Sequence, residues 1–178
     1  MVEREKLYKS WMIEGSYFNH MLDCGSRYNQ WVKIALGYLP IEILDENKEN
    51  LVFISTAHRD ACRVARFYCE NREVIFLSER ILPKQGAVED QPKVRYFIYT
   101  VLHETAHAIK NHKSPKFDGL SVDENQAQED EADDLAFEWF NRHIKEIDNP
   151  HLKPIIKEEI EDAKRRNQDL MKQLHADV

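Results

Sequence analysis

Residues 92–112 read PKVRYFIYTVLHETAHAIKNH, and the apolar side chains are spread around most of the circumference that this stretch would have as a helix. The pattern predicts a helix buried on nearly all sides, with Asp90 as its N-cap and Ser114-Pro115 as its stop. His103 and His107 lie one turn apart and would project from one face toward a single metal ion. Buried histidines need polar partners, and a shared ion provides one. Glu104 is offset from them and would reach a water on that ion, as a general base must.

A third ligand is expected downstream, because a catalytic zinc takes three protein ligands and keeps one position open. Glu129 and Asp133 are four residues apart and would point together toward the body of the protein from one helix face. Asp130 and Glu131 would point elsewhere. The helix that bears them has its own start signal in residues 121–124, where SVDE has the spacing of a capping box.

The spacing of these two motifs resembles that of a known family. HETAH is followed, 22 residues after its second histidine, by EDEAD at residues 129–133, which resembles the gluzincin metallopeptidases of the ExxAD type. That type includes CAAX-prenyl-peptidase-like proteases, minigluzincins and the ImmA/IrrE group. The resemblance implies a zinc site with Glu129 as third ligand beside His103 and His107, and with Asp133 holding a ligating histidine from behind. The membrane-embedded members carry transmembrane helices that this sequence lacks, and their usual HELGH core reads HETAH here.

Other histidines compete for a role at this site. In an unbroken helix His112 would lie about 140° around the axis from His107, too far to share its ion. We therefore expect His112 at the surface or at the C-terminal end of the helix, where a cation suits the helix dipole. His143 would lie too far along the Glu129 helix, and His58 could line the cleft from a loop. Tyr96 and Tyr99 are, with His58, candidates for stabilising an oxyanion.

Composition limits the possible functions. The net charge is −7 and basic residues are not arrayed with aromatic ones, which argues against nucleic-acid binding. No apolar run approaches the length of a membrane span, so we expect no membrane association. The three cysteines fit neither a disulfide framework nor a CxxC site, which favours a reducing, cytoplasmic setting.

The remaining segments predict an α+β fold of zincin-like type. We expect one domain over residues 1–149 and an amphipathic helix in residues 150–178 that packs on the domain, against Leu7 and Trp11, or mediates dimerisation. A small, mostly antiparallel sheet would pack on the HExxH helix and the glutamate-bearing helix. Either Glu73–Leu77 or Arg63–Cys69, just before the HExxH helix, would form a sheet edge beside the cleft. The elements predicted ahead of that helix are a helix at Lys6–His20 and strands at Tyr38–Leu44, Leu51–Ser55, Arg63–Cys69 and Glu73–Leu77.

The function expected from these features is that of a soluble zinc-dependent metallopeptidase. Its partners would be peptide or protein substrates, and the protein would be a monomer or a homodimer. Two alternatives stay open at this point: an ImmA/IrrE-like regulatory protease with one protein target, and a non-catalytic module that zinc stabilises for binding.

Overall fold

The computed structural model describes residues 26–47, 50–56, 61–64, 73–114 and 118–176, which form a mixture of helices and strands. The predicted helix at Lys6–His20 and the side chains of Leu7 and Trp11 lie outside these residues. In chain order the elements are α1 (Ser26–Leu36), α2 (Ile41–Asn47), β1 (Leu51–Thr56), β2 (Ala61–Val64), β3 (Glu73–Ser78), α3 (Pro92–Ile109), α4 (Val122–Ile147) and α5 (Lys157–Ala176).

Helix α3 carries the HExxH motif and runs through the core, as its sequence predicts. Its apolar residues from Val94 to Ala106 are completely buried, and it contacts α1, α4, α5 and the sheet. The helix begins at Pro92 with Gln91 as its N-cap, so the predicted N-cap, Asp90, is wrong by one residue. Its N-cap makes no side-chain hydrogen bond, and Pro92 is suited to this first turn because its fixed φ is already helical.

The described strands form one sheet in the order β1-β3-β2. β1 and β3 are parallel over six residue pairs, from Leu51 opposite Glu73 to Thr56 opposite Ser78, whereas β2 and β3 are antiparallel over four. The prediction of a mostly antiparallel sheet is therefore wrong. The reason is topological: β3 lies between β1 and β2, so β1 and β2 are consecutive strands that do not pair, and β1 pairs in parallel with β3 instead. Among the described strands, Glu73–Leu77 is therefore central, whereas β2, which contains the start of Arg63–Cys69, is at an edge of the sheet.

One predicted strand is helical in the structure, and another is described only in part. The segment Tyr38–Leu44 contains the start of helix α2, and Leu44 N donates to Pro40 O at 3.0 Å in the first turn. Pro40 favours this outcome because proline fixes a helical φ and lacks an N–H, which costs nothing at a helix start. For the segment Arg63–Cys69, the structure describes only the part that belongs to β2, and residues 65–69 lie outside the described ranges.

Helix α4 begins with the predicted capping box, which is confirmed. Ser121 Oγ accepts from Glu124 N at 3.2 Å, and Ser121 N donates to Glu124 Oε2 at 2.9 Å. The helix then packs along α3 through an apolar face that includes Ala132, Trp139 and Phe140, all of them buried. This capped and packed start fixes where α4 presents its acidic side chains.

The C-terminal segment packs on α3 in the described part of the chain. Ile155 and Ile160 are buried, and Arg95 of α3 makes two 2.8 Å hydrogen bonds to the carboxylate of Glu159. Arg95 also donates to the carbonyl oxygens of Lys153 and Pro154 just before α5. None of the helices that the structure describes has the length and apolar character needed to cross a bilayer.

Candidate metal centre

Three potential metal ligands converge where α3 faces α4. His103 Nε2 and His107 Nε2 are 3.0 Å apart, and the carboxylate of Glu129 lies 3.4 Å from the first and 3.7 Å from the second. A tetrahedral ion with bonds of about 2.0–2.1 Å keeps its ligand atoms about 3.3–3.4 Å apart. The separations among the three side chains bracket that value, so they are compatible with one ion bound between them.

The histidines of this cluster are largely buried, whereas 42% of the Glu129 side chain is exposed. His103 is 7% exposed, and Ala106 and Ala132, on the facing helices, are completely buried. The charge of His103 and the hydrogen bond from it lower the pKa of Glu129 well below its usual range, and His107 acts in the same sense. Glu129 is therefore ionised at neutral pH, which is the state that a metal ligand requires.

Asp133 stands behind His103, on the side away from Glu129. Its Oδ1 lies 2.7 Å from His103 Nδ1, and the Tyr99 hydroxyl donates to the same oxygen. Lys164 of α5 approaches both carboxylate oxygens at 3.5 Å and lies over the Tyr99 ring. Burial alone would raise the pKa of Asp133, but the contacts with His103 and Tyr99 lower it to about 2. The carboxylate thus stays charged and can hold an imidazole N–H.

The neighbouring acidic residues have a large effect on the pKa of His103. Burial lowers the pKa of His103, but Asp133, Glu129 and the charge of Glu104 outweigh it and raise the pKa to about 9. A cation is therefore stabilised at this position. A metal ion bound at Nε2 would take the place of the proton there.

Glu104 is half-buried, next to His103 on α3, and is not part of the three-residue cluster. This is the offset that the HExxH spacing predicts. Its charge contributes to the raised pKa of His103, so it acts on the same imidazole that would hold the ion.

His112 lies just past the C-terminal end of α3, which was one of its two expected positions, but it is not at the surface, since it is only 7% exposed. Its Nδ1 lies 2.8 Å from His107 Nδ1, and its Nε2 lies 3.2 Å from Glu131 Oε2. Glu131 Oε1 in turn lies 2.7 Å from Lys110 Nζ, and these two contacts lower the pKa of Glu131. Glu131 is not part of the ligand cluster, as predicted. It does, however, contact His112, the histidine that lies behind His107.

The backbone at the end of α3 explains this difference. The helix ends at Ile109, before the predicted stop at Ser114-Pro115, and Asn111 adopts a left-handed conformation with φ 55°. His112 N then donates to His107 O at 3.0 Å and Asn111 N to Ala108 O at 3.1 Å, which are the two bonds of a Schellman motif. The turn folds His112 back onto His107. Asparagine is one of the few residues that readily adopt the left-handed conformation, so Asn111 is the residue from which this end of the helix could have been predicted.

The remaining candidates have other contacts or lie outside the described residues. His143 packs on Tyr38 with ring centroids 4.3 Å apart. The Tyr99 hydroxyl is bound to Asp133, so it supports the histidine side of the site and is not available as the predicted oxyanion donor. The ring of Tyr96 stacks at 6.4 Å from that of Tyr99. His58 lies outside the described residues.

The chemistry of the donors fits a transition metal better than magnesium or calcium. Two imidazole nitrogens and a carboxylate oxygen are ligands that zinc takes in catalytic sites, whereas magnesium and calcium are bound through oxygen. Within the described ranges, His103, His107 and Glu129 form the group able to hold such an ion. No protein-family model, curated protein or solved structure matches the chain.

Proposed function

We propose that this protein is a zinc-dependent metallopeptidase in which His103, His107 and Glu129 hold the metal and Glu104 is the general base. The observation that carries the proposal is the convergence of three ligand atoms within 4.8 Å of one another, next to a carboxylate on the same buried helix. The motif resemblance to gluzincins and a zincin-like packing of α3 on α4 belong to the same proposal.

Each residue of the site would have its own role in the reaction. A zinc held by His103, His107 and Glu129 would supply Lewis-acid chemistry, polarising a scissile carbonyl and lowering the pKa of water to near neutral. Glu104 accepts the proton of the attacking water and delivers it to the leaving amine. Asp133 accepts from Nδ1–H of His103, which leaves Nε2 of that imidazole as the ligand atom.

The proposed reaction indicates the class of substrate, and the amino-acid composition indicates the cellular compartment. Peptides or proteins are the proposed substrates, since zinc sites with a glutamate base of this type act on amide carbonyls. The number and spacing of the three cysteines do not match a disulfide framework, which favours the reducing environment of the cytoplasm.

The test of this proposal is Glu104→Gln in zinc-loaded protein, measured against a diverse peptide library. We expect zinc content and melting temperature to stay close to those of the wild type, while hydrolysis falls by at least about 100-fold because an amide cannot accept the proton. Glu138→Gln is the matched control, because Glu138 is exposed on α4 and loses the same charge.

Two other results would change the assignment. Undiminished hydrolysis by the Glu104 variant would contradict the role of this residue as base. A wild-type protein that binds zinc but cleaves nothing in the library would instead support a regulatory protease with one protein target or a zinc-stabilised binding module.

A further inference from the structure

We infer that His112 is a positioning residue that holds the imidazole of His107 in the tautomer and orientation needed to bind a metal. The inference rests on the proposed metal site but not on peptide hydrolysis. Its basis is the 2.8 Å separation between Nδ1 of His112 and Nδ1 of His107, on the side of the His107 ring opposite the ligand atom.

The protons of this contact are determined once His107 binds through Nε2. A neutral imidazole carries one proton, so a ligating Nε2 requires the proton of His107 to be on Nδ1. His112 Nδ1 must then accept it, and the proton of His112 must be on its own Nε2. That nitrogen lies 3.2 Å from Glu131 Oε2, which is an acceptor. In that arrangement every donor in the row from His107 to Glu131 has an acceptor, whereas a neutral His112 with its proton on Nδ1 would turn an unprotonated Nε2 toward the Glu131 carboxylate.

The fold holds this row in place from both ends. The Schellman turn at Asn111 bonds His112 N to His107 O at 3.0 Å, so the backbone and the side chain of His112 both contact the same residue. At the other end, Lys110 Nζ lies 2.7 Å from Glu131 Oε1. His112 is 7% exposed, so its ring nitrogens depend on these protein partners rather than on bulk water.

The two histidine ligands would thus be supported in different ways. His103 has a carboxylate directly behind it, with Asp133 Oδ1 at 2.7 Å from Nδ1. His107 has a neutral imidazole behind it, and the carboxylate of Glu131 is one residue further away. Support of a ligating histidine from behind fixes the ring and raises its basicity, and losing it typically weakens metal binding about 10–100-fold.

The experiment measures zinc affinity by competition with a chromophoric chelator. His112→Phe keeps an aromatic ring but offers no acceptor, and we expect it to bind zinc about 10–100-fold more weakly than the wild type. His112→Asn should recover most of that loss, because its amide oxygen can accept from His107 Nδ1. The visible absorption of cobalt-substituted protein should change in His112→Phe and stay near wild type in His112→Asn. His151→Phe is the matched control, since His151 is exposed in the turn after α4.

The outcomes separate this inference from the proposed metal site. Equal zinc affinity in the wild type and His112→Phe, or equal losses in His112→Phe and His112→Asn, would overturn the role of His112 alone. A wild-type protein without zinc affinity would overturn both. If His112→Phe does not fold, His112→Leu replaces it in the comparison with His112→Asn, because these two replacement side chains have the same branched shape and only one carries an acceptor.

Discussion

Nδ1 of His103 lies 2.7 Å from Oδ1 of Asp133, one helical turn beyond Glu129 on the same helix. Glu129 meets the other nitrogen of this imidazole, with 3.4 Å between Oε2 and Nε2. A single face of α4 therefore contacts both nitrogens of His103. The orientation of this imidazole therefore depends on where α4 lies on α3, and Ala132 of α4, next to Asp133 in the chain, is completely buried in the core.

Removing the carboxylate behind His103 should weaken the metal site without removing a ligand. We expect Asp133→Ala to bind zinc about 10–100-fold more weakly, because the ring loses its acceptor at Nδ1. Asp133→Asn should lose less, since its amide oxygen still accepts a hydrogen bond. Competition with a chelator measures both, and Asp134→Ala is the control because Asp134 is the exposed neighbour on α4. Asp133→Ala with the affinity of the control would mean that Asp133 does not support His103.

The sequence predicts this half of the site because helical spacing is a local property. Once α4 is recognised from its capping box, residues four apart must share a face, and Glu129 and Asp133 must lie together. The spacing requires only that they share a face of α4, and the structure brings that face to His103.

The contact between His112 and His107 depends on where helix α3 ends, which the periodicity of the sequence does not show. Extending α3 as a regular helix moves His112 away from His107, whereas the left-handed Asn111 brings it back. The strand order of the sheet was also not predicted, because it too does not follow from local periodicity. Which strand lies between which is a matter of long-range packing, and short links between β-rich runs do not determine it.

The docking of the C-terminal segment should depend on Arg95. Its side chain is 5% exposed and its guanidinium binds the Glu159 carboxylate and two carbonyl oxygens, so Arg95→Met leaves all of these acceptors without their donor. We expect the free energy of unfolding to fall by about 2–3 kcal/mol. This is below the value of about 3–5 kcal/mol for breaking a fully buried pair, because 23% of the Glu159 side chain is exposed.

Urea denaturation measures this change, with Arg142→Met as the control. Arg142 also bonds a glutamate, Glu146 at 2.8 Å, but both side chains are about half exposed and solvent screens the pair. The control should therefore leave the unfolding midpoint close to that of the wild type. Equal effects of the two substitutions would show that Arg95 does not hold the segment.

The capping box of α4 should stabilise the protein in a pH-dependent way. Hydrogen bonds from the side chain and backbone of Ser121 lower the pKa of Glu124 in the folded state. A lowered pKa means that this contribution to stability is fully present above the unfolded-state pKa and is lost as the pH falls through the folded-state pKa. Ser121→Ala should cost about 1 kcal/mol at neutral pH, and the difference from wild type should shrink in acid.

Melting temperatures of the wild type, Ser121→Ala and Ser121→Thr across the acid range provide the measurement. Ser121→Thr keeps the hydroxyl and should follow the wild type. A difference between wild type and Ser121→Ala that grows as the pH falls would contradict the assigned role of the Glu124 carboxylate.

The central claim is that His103, His107 and Glu129 hold one metal ion, and elemental analysis of purified protein tests it most directly. We expect about one zinc per chain in the wild type, and in Asp130→Ala, whose altered residue is the exposed neighbour of Glu129. His103→Ala and Glu129→Ala should each lose the metal while remaining folded by circular dichroism. A wild-type protein without zinc, or a Glu129→Ala variant that retains the full wild-type content, would contradict the account.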